Sequence, residues 1–190
     1  MKANKITFWQ SLSIISMIVI SQLAIPTIIA TAAEAKVSSS DTVAITAAQI
    51  TNFTFTTVAD TYVAEDYPDT NFGTNPSLRL DNTPLMRSYL RFTVSGLNGA
   101  IIQSAKLRLY ANTANDVGYS VFAVSDNNWD ENTMIFNNSP AAGIHINNSQ
   151  PFSSAEWTEV DISNYIKAEG TYDLLLTTTS DATTKLASRD

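Results

Sequence analysis

From Asn52 to the C-terminus, apolar and polar residues alternate in short runs. Phe53-Thr54-Phe55-Thr56-Thr57-Val58 opens the pattern. Ser77-Leu78-Arg79-Leu80-Asp81, Arg87-Ser88-Tyr89-Leu90-Arg91-Phe92-Thr93-Val94 and Ala105-Lys106-Leu107-Arg108-Leu109-Tyr110 continue it, with further runs at 119–124, 144–146, 157–162 and 172–179. Between them lie turn-forming clusters: residues 69–76, Asp126-Asn127-Asn128, Asn137-Asn138-Ser139-Pro140 and residues 147–151. A period of two is that of a strand whose successive side chains face opposite sides. Many such runs broken by Asn, Gly and Pro predict an all-β protein, an antiparallel sandwich or barrel. One helical turn is predicted at 163–168, just before Gly170, and no repeat of fixed period is present.

The alternation also assigns faces. Leu78 and Leu80, then Leu90, Phe92 and Val94, then Leu107 and Leu109 share the inward side, as do Val160 and Ile162. Arg79, Arg87, Tyr89, Arg91, Thr93, Lys106, Arg108 and Tyr110 fall on the other side of their strands, and Trp157 shares a face with Glu159 and Asp161.

Ahead of Asn52 the chain changes character. Lys2 and Lys5 precede an apolar run, densest in Ile14-Ile15-Ser16-Met17-Ile18-Val19-Ile20 and again at 23–30. The small-residue sites Ala30-Thr31-Ala32 and Ala33-Glu34-Ala35 follow. A charged start, an apolar middle and an A-x-A exit make a secretory signal peptide, assigned here to residues 1–35. The stretch exceeds the roughly 20 residues that span a bilayer. Gln10, Gln22 and several serines dilute it, however, so cleavage is expected rather than anchoring, with a secreted, extracellular product and no stable membrane insertion. Residues 36–51, rich in Ser, Ala and Thr, read as a linker, and residues 52–190 as the folded domain.

Composition narrows the chemistry. Lys and Arg number 11 against 18 Asp and Glu, a net charge of -7, with one histidine and no cysteine. That balance argues against a nucleic-acid partner, whose phosphates recruit positive charge. Without cysteine there is no disulfide framework, thiolate metal site or Cys nucleophile, and a single histidine rules out a multi-histidine zinc site. His145, between Ile144 and Ile146, reads as a surface residue. Within this acidic chain Arg79, Arg87, Arg91, Lys106 and Arg108 gather on outward positions of three strands, with Tyr89 and Tyr110 among them. Cross-strand pairing to acids such as Glu159 and Asp161 accounts for such a cluster at about 0.2–1 kcal/mol per pair. Recognition of an anion accounts for it equally, because Arg can fork onto a carboxylate with two hydrogen bonds.

Several motifs in one order carry a family resemblance. Ala59-Asp60-Thr61-Tyr62-Val63 leads to Pro68-Asp69-Thr70-Asn71-Phe72-Gly73, then to the Leu78, Arg87 and Ala105 strands. Trp129-Asp130-Glu131-Asn132-Thr133 and Phe136-Asn137-Asn138-Ser139-Pro140 follow. Trp157-Thr158-Glu159-Val160-Asp161-Ile162, Leu176-Thr177-Thr178-Thr179 and Ser188-Arg189-Asp190 close the series. Residues 53–190 thereby resemble the DNRLRE-type domain, similar to the family 96 carbohydrate-binding modules. The resemblance implies a jelly-roll β-sandwich and extracellular, non-catalytic binding of a polysaccharide, with alginate, an acidic uronate polymer, as the ligand class. Phe136 replaces the tryptophan usual at its position. The family also continues past the Ser-Arg-acid motif into a further strand, so this chain, ending at Asp190, is either short or a fragment, and a missing strand would expose backbone at a sheet edge.

The residues assigned to the carbohydrate are Arg79, Arg87, Tyr89, Arg91, Lys106, Arg108, Tyr110 and Trp157. No catalytic residue and no metal ligand is assigned, and the oligomeric state is left open. Trp129, in its loop motif, reads as structural, with Glu131 tying the loop down. Asp60, Asp66, Asp69, Asn71 and Asp81 offer hard oxygen ligands of the kind calcium takes, but they are also ordinary turn formers. No cofactor is expected, structural calcium being the alternative. A structural or adhesion module of the cell envelope is the second functional reading. A lyase using Arg87, Tyr89 and Arg91, or a glycosidase using a carboxylate pair, is the third.

Overall fold

The computed structural model describes residues 16–22 and 50–190, and every structural statement below refers to them. The strands are β1 (Ser16–Gln22), β2 (Ile50–Ala64), β3 (Ser77–Leu80), β4 (Met86–Val94), β5 (Ile101–Ala111), β6 (Ser120–Val124), β7 (His145–Asn148), β8 (Glu156–Asp161), β9 (Gly170–Thr177) and β10 (Thr184–Ala187). All pairings are antiparallel. One sheet is built on β5, with β8 along one edge and β1 and β10 along the other, and β3 beyond β10. The second sheet runs β2-β4-β9-β6-β7. Leu78, Leu80, Leu90, Phe92, Leu107, Leu109, Val160 and Ile162 are buried between the two, on the faces the alternation predicted, together with Leu174 and Leu176.

Strand β2 belongs to both sheets. Its first half, residues 50–56, pairs with β1, and its second half with β4 after a register shift between Thr57 and Ala59. An extra residue in a strand reverses which side each later side chain takes. Before the shift Phe53 and Phe55 pack on the core. After it the buried Asp60 and Tyr62 stand opposite Leu90 and Ser88, while Val58, at the shift, is exposed.

Some elements differ from expectation. The helical turn is a single one, in which the Ile166 amide donates to the Ile162 carbonyl at 3.1 Å. Strand β10 was not foreseen, nor was the short 3-10 turn Phe136–Asn138. Of the residues assigned to the leader, Ser16–Gln22 form β1, between the first half of β2 and β5. The rest of the leader, its cleavage sites and linker residues 36–49 lie outside the described residues. No helix among the described residues is long and apolar enough to cross a membrane.

The two inner faces lock through a polar bridge as well. The buried Tyr119 hydroxyl meets the Thr158 hydroxyl at 2.7 Å, and Thr158 donates to the Leu109 carbonyl. This bridge orients β8, so that Trp157 and Glu159 face away from the core. Phe92→Ala should cost about 3–5 kcal/mol of stability, the usual range for a large core aromatic. Thr93→Ala, one position along on the outer side, should stay within about 0.5 kcal/mol. Urea unfolding of the two variants checks the assignment of faces.

Candidate functional site

The outward residues do not form one face; they divide between the two sheets. Arg87, Tyr89 and Arg91 point away from the core on the outer side of the β4 sheet, as the alternation requires. Residues 125–140 lie over them. A second apolar cluster of Val63, Tyr89, Val124, Trp129, Met134 and Leu175 fills the space between that sheet and the covering segment. Tyr89 is fully buried, and its hydroxyl donates to the Pro140 carbonyl at 2.7 Å. Its placement on an open face is therefore corrected.

Arg91 is the pin of this cover. Its Nε donates to Asp173 Oδ1 at 2.7 Å, and its terminal nitrogens donate to the carbonyls of Trp129 (3.2 Å) and Asn127 (2.7 Å). The guanidinium also lies 4.3 Å from the centre of the Trp129 ring. Trp129 is buried, and its indole N–H donates to the same Asp173 oxygen at 2.8 Å. Burial pushes the Asp173 carboxyl upward in pKa, and Arg91 and the indole pull it back. Arg87 donates to the Ser139 hydroxyl at 3.0 Å and stacks on Phe136. All three residues are committed to holding residues 125–140 in place. Within the lyase arrangement of Arg87, Tyr89 and Arg91, the tyrosine is fully buried and the two arginines half-buried.

The loop motifs serve the same purpose. Asn71 donates to the carbonyls of Glu131 and Met134, each at 2.8 Å. Gly73 packs so closely on Glu131 that an added Cβ would lie 2.1 Å from its carbonyl oxygen. Glu131 accepts the Asp60 amide and binds Arg189. Asp60 is buried and accepts from the Ser188 hydroxyl and the Arg189 amide, and desolvation pushes its pKa up to about 6. The oxygen-bearing residues read from sequence as calcium ligands do not converge. Asp69 accepts from Asn137, and Asp81 from Thr83 and Thr183. The carboxylates that do converge are those of Asp60, Glu131 and Asp190, within 4.8 Å of one another, with the Arg189 guanidinium bound to Glu131 and near Asp190.

The other sheet presents an open outer face. Lys106, Arg108 and Tyr110 on β5 stand opposite Asp161, Glu159 and Trp157 on β8. Glu159 receives both cations, Lys106 Nζ at 3.0 Å and Arg108 Nε at 2.9 Å; Lys106 and Glu159 are exposed and Arg108 is half-buried. The Arg108 contact is close but off the hydrogen-bond direction, which leaves its Nε without a formed bond. The Lys106 hydrogen bond is the main cause of a lowered Glu159 pKa. Arg108 lies 4.9 Å above the Trp157 ring, and Tyr110 meets that ring edge-on at 5.5 Å. Arg79 is set apart on β3, its guanidinium over Tyr62. Lys185, exposed on β10 opposite Arg79, was missed from sequence because β10 was missed; the alternation of Thr184-Lys185-Leu186-Ala187 would have found it. His145 is exposed, as read, and bonds Asn148.

The fold is an antiparallel sandwich with one sheet covered and the other presenting aromatics and cations in register. The comparison with known families specifies which kind. Residues 51–190 match the model of carbohydrate-binding module family 96, and the chain belongs to that family. No curated protein matches the sequence.

Two predictions follow from the covered side. Arg91→Ala should destabilise by about 3–5 kcal/mol, because it strands a buried carboxylate, and it should lower the thermal midpoint rather than act on binding alone. Asp60, whose pKa is about 6 folded and near 3.8 unfolded, binds more protons in the folded state between those values. Stability is therefore highest below pH 4 for this group and falls as pH rises to 6, by roughly 3 kcal/mol at about 1.4 per unit. Urea midpoints of the parent and of Asp60→Asn across pH 4–6 should differ in slope, the variant being flatter.

Proposed function

We propose that the protein is an exported, non-catalytic module that binds an acidic polysaccharide of the alginate type on the β5–β8 face. The observation that carries the reading is the grouping of Lys106, Arg108, Tyr110 and Trp157, in register on two adjacent strands, with Lys106 exposed and the other three half-buried. Family membership supplies the sugar, and the residues on this face supply the preference for acid. A pyranose ring packs on an aromatic surface such as Tyr110 and Trp157, whose polar tips reach its hydroxyls. A uronate carboxylate fits the fork of Arg108 and the ammonium of Lys106.

In the free protein Glu159 occupies those cations, so the ligand competes with an internal carboxylate. Exposed ion pairs are worth about 0–1 kcal/mol, which makes the exchange inexpensive, and repetition along a polymer multiplies weak contacts. Binding should fall with salt, since exposed charges are screened within about 8 Å at physiological ionic strength. We infer further that no cofactor is needed, because the Arg189 guanidinium already answers the converging carboxylates of Asp60, Glu131 and Asp190. A chelator should then leave the thermal midpoint where it was.

The competition gives a sharp test. In affinity gels containing alginate, Lys106→Ala with Arg108→Ala should reduce retardation at least severalfold, with the thermal midpoint nearly unchanged. Glu159→Gln should increase retardation by freeing both cations. A structural or adhesion role is favoured by the same paired charges, and it predicts that none of the three substitutions alters retardation. Preference for a neutral glucan without salt dependence would also refute the acidic-ligand reading.

A further inference from the structure

The turn that carries the chain from β4 in one sheet to β5 in the other holds its one Asn-Gly pair, Asn98-Gly99. Both residues are exposed and both have positive φ, 52° at Asn98 and 81° at Gly99. Glycine adopts that backbone freely, and asparagine is among the few other residues that tolerate it. The Ala100 amide closes the turn onto the Leu97 carbonyl at 2.9 Å, and the Leu97 amide donates to the Glu169 carboxylate. The Gly99 amide between them meets no acceptor among the described residues. An added Cβ at Gly99 would meet nothing within 4 Å, so the space around this nitrogen is open. The turn borders an open cleft of about 340 Å³ shared with Lys167 and Glu169, which water can enter.

A nucleophile and an electrophile thus stand one residue apart with little holding either. The Asn98 side chain is tied only through its Nδ2, which donates to the Gly96 carbonyl at 3.2 Å on the surface. Two other asparagines with a small following residue are held at both ends. Asn138 accepts the Ile135 amide and donates to the Thr133 carbonyl, and the amide of Ser139 after it donates to the Phe136 carbonyl. Asn148 is bonded to His145, and the amide of the buried Ser149 after it donates to the Tyr119 carbonyl at 2.8 Å.

We propose that Asn98 is a site of self-modification, at which the folded protein converts asparagine to isoaspartate. The Gly99 nitrogen attacks the side-chain carbonyl carbon of Asn98. A new C–N bond closes a five-membered imide, and Nδ2 leaves with the amide proton as ammonia. Water then opens the imide. Opening at the side-chain carbonyl gives aspartate. Opening at the main-chain carbonyl gives isoaspartate, in which the chain runs through the side-chain carbon and the turn is one backbone atom longer. Either product adds a negative charge, and isoaspartate also breaks the spacing that lets Ala100 reach Leu97. The reaction needs only water, and it makes the turn a record of the protein's age whatever ligand the module binds.

The test incubates the purified protein in mildly alkaline buffer and follows each asparagine by peptide mapping, with an isoaspartate-specific carboxyl methyltransferase to separate the two products. Conversion at Asn98 should be at least tenfold faster than at Asn138 or Asn148, with isoaspartate the larger product. Gly99→Ala, whose methyl group has room but hinders the nitrogen, should slow it at least tenfold. Asn98→Gln, which could close only a six-membered ring, provides the same comparison should the alanine variant fail to fold. Equal rates at the three asparagines, an undiminished rate in the folded variant, or aspartate as the sole product would overturn the proposal. The converted fraction, isolated by anion exchange, should unfold at lower urea than the parent. Asn98→Asp, which adds the charge without the extra atom, should match the parent; a converted fraction as stable as both would refute the loosening of the turn.

Discussion

A carboxylate taken out of water must be paired, and Asp173 is such a group, set in β9 on the outer side of its sheet. Its charge is answered by Arg91 from the neighbouring strand and by the Trp129 indole N–H from the covering segment. Arg91 in turn holds two backbone carbonyls of that segment and stacks on the same indole. Removing any member leaves a buried polar group without its partner, a larger cost than the net worth of the contact itself. This one cluster turns the β4 sheet from a half-exposed surface into a layer with a core on each side. It also explains why β9 reads Leu174-Leu175-Leu176 without alternation, since all three side chains are buried.

Closing that side leaves the other sheet with the more accessible outer face, the one proposed above for the ligand. On the β5–β8 face Lys106 is exposed and Arg108 half-buried, and the carboxylate they share, Glu159, is itself exposed. The contrast is chemical as well as steric. Arg91 is bound at every nitrogen-bearing arm to partners that cannot leave without unfolding the cover. Lys106 and Arg108 are bound to a side chain that a ligand carboxylate can replace at little cost. The same residue type thus builds the molecule on one face and is available for recognition on the other.

The sandwich was legible because strand alternation is local: Leu90, Phe92, Leu107, Leu109, Val160 and Ile162 lie where period-two reading puts them. Outward, however, is not the same as exposed. Whether an outward residue meets solvent depends on what the chain lays over it many residues later, and the alternation around Tyr89 carries no information about residues 125–140. A faint signal existed in the unbroken apolar run 174–176, which calls for burial on both faces. The β2 bulge was equally hidden, because Thr57-Val58-Ala59 looks like any other stretch of strand and only the register with β4 reveals the change of parity. Trp157, Glu159 and the cations on β5 fall on one side of their strands as alternation puts them, because β5 and β8 pair directly.

The central claim is that the β5–β8 face, and not the Arg91 side, meets an acidic polysaccharide. Amide chemical-shift mapping during titration with a defined oligouronate tests it most directly, since it locates the ligand without any substitution. The account predicts perturbations at residues 106–110 and 156–161 that diminish as salt is raised, with residues 125–140 unaffected. Perturbations centred on residues 125–140 or around Arg79, or none anywhere at millimolar oligouronate, would contradict it.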